Sequence, residues 1–461
     1  MSLLRGKDIY LSTLEARCLE NDYIDRKLYK EYGVNIGLRD EYGKGVLTGL
    51  TNISMVNGYE VKNGEKVPCE GELWYRGYRV ENLIARLGED AYGFEAIAYL
   101  LLTGDLPDTV KAQAFRKVLG SYRTLPTNFT RDVIMKAPTE DIMNSMTRSI
   151  LTLASYDQRI KDVSLENNIR QCLQLISEFP MLAVYAYNAY IHYEKNQSMV
   201  IHFPEPQKST AENILIMMRA DKQYTQTVAK VLDTALILHM EHGGGNNSTF
   251  TTRVVTSSGS DTYSTMAAAM CSLKGPKHGG ANMKVMDMMA DIAENVRDYR
   301  DDEEVGHYLA RIVDGEAFDR KGLIYGMGHA VYSLSDPRER ILKEYVKQLA
   351  GEKGKERELL LYEQVEKLSP GIIAEKRHIY KGVSPNVDFY SGFVYDMLGI
   401  PKEMYTAIFG IARIVGWSAH RIEELICMDK IIRPAYLSVM KKKEDGTVFA
   451  KNIAADTDKA E

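Results

Sequence analysis

The chain has 461 residues, about three times a typical domain of roughly 150 residues, so one to three domains are expected. At 45% hydrophobic and 26% charged, with 58 Lys and Arg against 63 Asp and Glu and a net charge of −5, the composition excludes a mostly disordered chain. No basic excess points to nucleic acid or a membrane surface, and no window approaches the roughly 18 uninterrupted apolar residues of a membrane span.

The opening stretch MSLLRGKDIYLSTLEARCLE carries acids early and has no apolar core, so neither a signal peptide nor a transit peptide is expected. Five cysteines (Cys18, Cys69, Cys172, Cys271, Cys427) are odd in number and far apart, which argues against a disulfide framework and for a reducing, cytoplasmic setting. Phe94, Ile97, Ala98, Leu101 and Leu102 recur at helical spacing until Gly104 and Pro107 stop the run. Thr139 is placed to cap a helix whose apolar face is Ile142, Met146, Ile150 and Leu153. Ser209 and Glu212 form a capping-box pattern ahead of Ile214, Leu215 and Met217. Arg253 to Ser257 reads as one of few short strands. Gly351 to Gly382, the most charged stretch, reads as a solvated segment between helices. From Pro401 to about Met428 apolar positions are dense enough for a helix buried on all sides. Beyond about Lys441 periodicity is lost, and a frayed tail is expected. No repeat at a fixed period is visible, so a helical solenoid is not expected. The class is mainly α.

Chemistry-bearing residues collect in six segments: HMEHGGGNNSTF (His239, His242), LKGPKHGGAN (His278), YGMGHAVYSLSDPR (His329, Arg338), SPNVDFYSG (Asp388), ARIVGWSAH (Arg413, His420) and IIRP (Arg433). His239 and His242 are one helical turn apart, as zinc ligands can be, but no third ligand motif follows and no metal is expected. GMGHAV partly mimics a dinucleotide-binding loop, yet Val331 stands where the third glycine belongs. Asp388 taken alone would serve as well as an exposed or capping acid. Arg413 inside an apolar helix is harder to explain, because a buried guanidinium is costly unless an anion meets it. Together the set offers imidazoles that donate to carbonyl oxygens, one carboxylate base and three arginines that clamp carboxylates. That inventory suits carbon–carbon bond formation on a small dianion without a metal.

In this order, HGGAN, GxGHxVY…DPR, PNVDFYSG, the ARIxGWxAH helix and the terminal RP resemble citrate synthase, as do GELWYRGYRVENL (71–83) and FEAIAYLLLTGDLP (94–107). The resemblance spans most of the chain. It implies an all-α, two-domain fold in which a large domain (1–279 and 400–461) is interrupted by a small one (280–399) that closes over the substrate. It further implies a homodimer. By the same resemblance, His278 hydrogen-bonds the thioester carbonyl of acetyl-CoA, Asp388 removes the methyl proton and His329 polarises the oxaloacetate ketone. His242, Arg338 and Arg413 hold the oxaloacetate carboxylates, with Arg433 reaching in from the neighbouring subunit. Acetyl-CoA is then a co-substrate, and no permanently bound cofactor is implied.

Local signals agree with these roles. His278 precedes a helix expected from Asn282 onward, a position that disfavours the imidazolium, as the handling of a neutral histidine at a helix start in another enzyme illustrates. Ser335-Asp336-Pro337 announces a helix with Arg338 in its first turn, and Pro434 biases Arg433 toward an extended backbone. Three features depart from the family pattern. Ala330 stands where many bacterial members have Arg, AYLSVMKKK replaces a Tyr-x-Gly element, and the first fifty residues match poorly and do not spell the strand-rich start of the hexameric type. With Ala330 in place, Lys376, Arg377 and Lys381 become the candidates for the coenzyme phosphates. The closest alternative activity is 2-methylcitrate synthesis from propionyl-CoA, since one methyl group is worth only about 1–3 kcal/mol of discrimination. An inactive CoA-ester-binding paralogue is the other alternative, but such a chain would be expected to lose His278, His329 or Asp388.

Overall fold

The structure, a computed structural model, describes residues 2–40, 44–88, 92–378, 382–427 and 430–440. Met1–Asn52 forms one compact unit and Ile53–Glu461 another. The first contains helices Ser2–Asp22 and Arg26–Glu31, the latter capped by the Asp25 side chain, which accepts from Lys27 N.

The second unit opens with a three-stranded antiparallel sheet in the order β1 (Ser54–Lys62), β2 (Glu65–Tyr75), β3 (Tyr78–Arg79). Asn63 and Gly64 turn β1 into β2, both with positive φ (55° and 84°), the conformation a tight primed hairpin turn requires. The sheet backs onto the loop that carries His329 and leads into the helix of Arg338. Gly71 passes so near this loop that a Cβ there would lie 2.1 Å from Ser335 O, and at Gly58 it would lie 2.6 Å from Val331 O. Tyr59 Oη meets Ser333 Oγ at 3.2 Å, and Tyr332 Oη donates to Glu72 O at 3.3 Å.

Everything else of substance is helical. Gly93–Thr103 ends at Gly104 in the left-handed region (φ 96°), Ser209 and Glu212 complete the capping box of Thr210–Met218, and Tyr405–Cys427 is buried on almost every face. This last helix packs against Leu165–Lys195, Gln226–His239, Asn247–Ser257 and Thr262–Leu273, so it forms the axis of the core. No helix among the described residues is long and apolar enough to cross a membrane.

Three expectations fail for identifiable reasons. Arg253–Ser257 is not a strand but the end of helix Asn247–Ser257, where Thr251 and Thr252 bond back to carbonyls four residues earlier. Packing against the central helix overrides the β-branched composition. Gly351–Gly382 is not an irregular segment: it contains the whole of helix Glu356–Arg377, which carries Pro370 and Gly371 inside it and buries Leu361, Tyr362, Val365 and Ser369. Helix Ile142–Leu153 is capped by Asp141, which accepts from Asn144 N at 2.9 Å, while Thr139 accepts from Asp141 N at 3.2 Å. The tail beyond Met440 lies outside the described residues.

Candidate active site

Two buried arginines sit on the central helix, and their surroundings separate them. Arg421 places its guanidinium among Thr256, Thr262, Thr265, Asn168 and the Ser260 carbonyl, and every N–H has a partner. Arg413 is 1% exposed, yet only Nε has a fixed acceptor, His239 O at 2.6 Å, and Nη1 has none. Burial lowers its pKa to about 10, with Glu241 opposing the shift. The Phe409 ring lies 4.6 Å from its Cζ. Arg421 is saturated by the fold; Arg413 is poised for an anion.

Arg338 enters from the first turn of helix Pro337–Lys353, whose N-cap is Asp336. The fully buried Asp336 carboxylate accepts Arg338 Nε (3.0 Å), Nη2 (2.7 Å) and N (3.0 Å), and also Val387 N (3.3 Å). Burial works against the Arg338 charge, but Asp336 outweighs it and holds the guanidinium ionised. One carboxylate therefore ties Arg338 to the start of helix Val387–Met397. That helix carries Asp388 in its first turn, with Asn386 as cap. Burial pushes the Asp388 carboxyl up to about 6, while Arg338 pulls it down and Asp336 adds to the rise.

The imidazoles are held neutral. His329 Nδ1 accepts from Val331 N (3.0 Å) and Tyr332 N (3.1 Å), so the ring proton resides on Nε2. Burial and the Arg338 charge lower its pKa to about 4. Its ring stacks on Tyr332 at 4.6 Å and meets His242 edge-on at 4.9 Å. His242 Nε2 is enclosed without a hydrogen-bond partner, and burial with Arg338 keeps that ring neutral too. His278 stands ahead of helix Ala281–Asn295, whose inner face is Val285, Met288, Met289 and Ile292. Its Nε2 lies 3.1 Å from Ser248 Oγ, an oxygen that also receives Trp417 Nε1–H at 3.1 Å and sits 3.0 Å from Asn246 Oδ1. Burial, helped by Arg413, lowers the His278 pKa to about 4.

His239, which the sequence offers only as half of a zinc pair, has both ring nitrogens buried without partners and faces the charges of Arg338 and Arg413. Among the described residues no group of three or more His, Cys, Asp or Glu is arranged to hold a metal.

A cavity of about 440 Å³ runs from His329 and Tyr332 past Met327 and Val383 to Lys321 and Arg377. Beside it lies an open cleft of about 360 Å³ lined by Asp314, Arg320, Lys321, Lys376 and Arg377. Lys376 is paired with Asp314 at 2.8 Å, and Arg377 Nη2 donates to Val313 O and Gly322 O. Both cations are thus already engaged, and Lys381 lies outside the described residues. Arg320 and Lys321, which sequence patterns did not single out, line the same cleft; a lone Lys-Arg pair in a turn carries no signal of its own. Arg433 is exposed on an extended segment whose Ile432 N donates to Ser257 Oγ at 3.0 Å, and it does not join the other site residues within one chain.

Residues 40–435 match the family model described as citrate synthase, C-terminal domain. The chain is 33% identical over 399 residues to a citrate synthase of Synechocystis sp., covering 86% of this chain and 89% of the relative. It is 31% identical over 409 residues to 2-methylcitrate synthase 1 of Corynebacterium glutamicum, covering 87% and 95%. Among solved structures, a Pyrobaculum aerophilum citrate synthase superposes with a TM-score of 0.71 at 28% identity, covering 87% of this chain and 92% of that one. A Thermoplasma acidophilum citrate synthase, solved as a ternary complex with carboxymethyl coenzyme A and oxaloacetate, gives 0.72 at 26% identity, covering 88% and 98%. With the buried arginines, neutral imidazoles and raised carboxylate now joined to a family match over most of its length, the chain belongs to the citrate synthase family.

Proposed function

We propose that the enzyme condenses acetyl-CoA with oxaloacetate and hydrolyses the resulting thioester to citrate and CoA. The observation that carries this reading is the convergence of two neutral histidines, one carboxylate with a pKa near 6 and two buried guanidiniums on a single site. Arg338, Arg413 and His242 bind the oxaloacetate carboxylates, and the Nε2 proton of His329 polarises the ketone. Asp388 removes a proton from the thioester methyl. Because that carbon acid is far weaker than a carboxylic acid, the developing enol oxygen needs a donor, which is His278. For His278 to donate from Nδ1, the Ser248 hydroxyl proton turns from Asn246 to Nε2, a rotation that moves no heavy atom. The enol carbon attacks the ketone carbon, a C–C bond forms, and the alkoxide takes the His329 proton. Water then cleaves the thioester and CoA leaves as the thiol.

The coenzyme occupies the 440 Å³ cavity, with Arg320 and Lys321 beside Lys376 and Arg377 at its phosphate end. Residues 280–399 act as the small domain that closes over the substrate, and two chains pair so that each lends Arg433 to the other. The five free thiols suit a cytoplasmic location.

Steady-state rates with oxaloacetate and either acetyl-CoA or propionyl-CoA, followed by CoA thiol release, test the assignment. A higher kcat/KM with acetyl-CoA is expected. A preference for propionyl-CoA makes the enzyme a 2-methylcitrate synthase, the activity named for the Corynebacterium relative. No turnover with either overturns the assignment.

A further inference from the structure

One buried cluster beside the site has no task in the reaction just described. Glu241 and His420 are both 0% exposed and bond to each other at 3.0 Å (Oε1 to Nε2). The same Glu241 Oε1 accepts from Ser54 Oγ at 2.8 Å and Gly243 N at 2.6 Å. A single oxygen therefore ties β1, the 240–243 turn and helix Tyr405–Cys427 together. His420 Nδ1 lies 2.7 Å from Arg253 Nη2. A guanidinium only donates, so Nδ1 accepts and the ring proton is on Nε2, directed at Glu241. Arg253 is in turn held by Glu424 at 3.0 Å and by Glu423.

We propose that Glu241 and His420 are positioning residues for the oxaloacetate pocket, a buried carboxylate–imidazole pair that locks the 239–243 segment and thereby fixes His242 and Arg413 to receive a dianion. The inference rests on the assignment of His242 and Arg413 as carboxylate ligands and extends it to residues that touch no substrate.

Three further contacts aim the cluster at this segment. Arg413 Nε donates to His239 O, so the guanidinium is held by the segment's own backbone. Tyr75 Oη is within 3.1 Å of both Ile237 O and Glu241 O. Gly416 lets the central helix press so closely that a Cβ would lie 2.3 Å from Met240 O and 2.5 Å from Glu241 Oε2. Although burial pushes the Glu241 carboxyl up, the His420 and Ser54 hydrogen bonds and the Arg413 charge pull it down, so the acceptor stays ionised. An ion pair serving only stability has no need of the residue next to a ligand, or of the carboxylate that faces Arg413.

The full-length enzyme carries the test, with melting temperature recorded for every variant. His420→Ala removes the donor to Glu241 and is expected to raise the oxaloacetate KM roughly tenfold to a hundredfold, the scale of an ångström-level misplacement. The acetyl-CoA KM should change less than about twofold, because only one pocket is disturbed. His420→Gln restores an N–H donor and should recover most of the loss. If His420→Ala does not fold, His420→Asn, too short to bridge Glu241 and Arg253, is read the same way. Glu241→Gln keeps the acceptor and drops the charge, so the oxaloacetate KM should stay at or below the native value. Equal rises in both KM values, no rescue by Gln, or a native oxaloacetate KM in His420→Ala each overturn the positioning role. Absence of condensation in the unmodified enzyme would instead overturn the functional assignment, before any variant is compared.

Discussion

At the scale of single residues, burial makes the Asp388 carboxylate more basic, and the same burial costs stability. Its carboxyl ionises near 6 in the folded chain against 3.8 for an ordinary aspartate. Between those values the folded protein keeps a proton that the unfolded chain has released, so the penalty is absent at low pH and complete above about pH 6. Asp388→Asn should therefore slow kcat by roughly 10²–10⁴-fold while leaving oxaloacetate binding nearly unchanged. It should also stabilise the protein at pH 8, by an amount on the order of 2 kcal/mol that vanishes toward pH 4. Kinetics together with denaturant melts at several pH values check both halves. A variant with most of its native kcat removes Asp388 from the mechanism. The acid limb of the wild-type kcat/KM profile should fall near pH 6, since His278 and His329, both near 4, remain neutral throughout that range. Asp388, Arg338, Arg413 and the histidines stood out in the sequence because each is an unusual residue in a turn or an apolar helix. The sequence did not reveal Glu241, whose partner lies in another element: Glu241 meets His420 across 179 residues. Nor did it separate Arg413 from Arg421, since only the packed structure says which guanidinium has all its donors used.

Among the elements, the helices were legible wherever periodicity and caps coincide, as at Gly93–Thr103, Thr210–Met218 and Pro337–Lys353. The Asn63-Gly64 turn is a strong hairpin signal, and it marks the sheet on which the His329 loop rests. Helix Glu356–Arg377 was hidden by its charge and by Pro370, which a buried inner face tolerates. The central helix offers a paired test of how closely it must pack. At Gly410 the atoms nearest an added Cβ are the Met270 and Met143 sulfurs, at 3.3 and 3.7 Å, and flexible thioethers can give way. Gly410→Ala is expected to be neutral or to stabilise by up to about 1 kcal/mol, through helix propensity. At Gly416 the nearest atom is the Met240 carbonyl oxygen at 2.3 Å, which cannot turn aside. Gly416→Ala should cost about 1–3 kcal/mol or more and raise the oxaloacetate KM as well. Thermal melts of the two variants decide; equal effects would mean that backbone crowding at Gly416 is not the constraint.

For the whole molecule, two expectations concern parts that must come together. If residues 280–399 close on the rest, oxaloacetate should bind first and raise the affinity for acyl-CoA, because Asp388 and His329 belong to the closing part. Equal acyl-CoA affinity with and without a saturating oxaloacetate analogue counts against closure. If Arg433 serves the partner, co-expressed His278→Ala and Arg433→Ala chains should complement each other. A mixed dimer then contains one doubly damaged site and one native site, and with half of randomly paired dimers mixed, roughly a quarter of native activity returns. Zero complementation, with mixed dimers shown to be present, means that Arg433 acts within its own chain.

The central helix has one more consequence, which concerns time. Tyr405–Cys427 forms the axis against which helices from Gly93 onward are packed, yet it is the last helix among the described residues to be synthesised. At roughly 5–20 residues per second, the preceding segments leave the ribosome tens of seconds before the element that completes their core. During that interval the apolar faces of Leu165–Lys195, Gln226–His239 and Thr262–Leu273 wait for a partner still being made. Those faces stay uncovered until residue 427 has been made, and Arg413 joins the other buried charged groups only when this final helix packs.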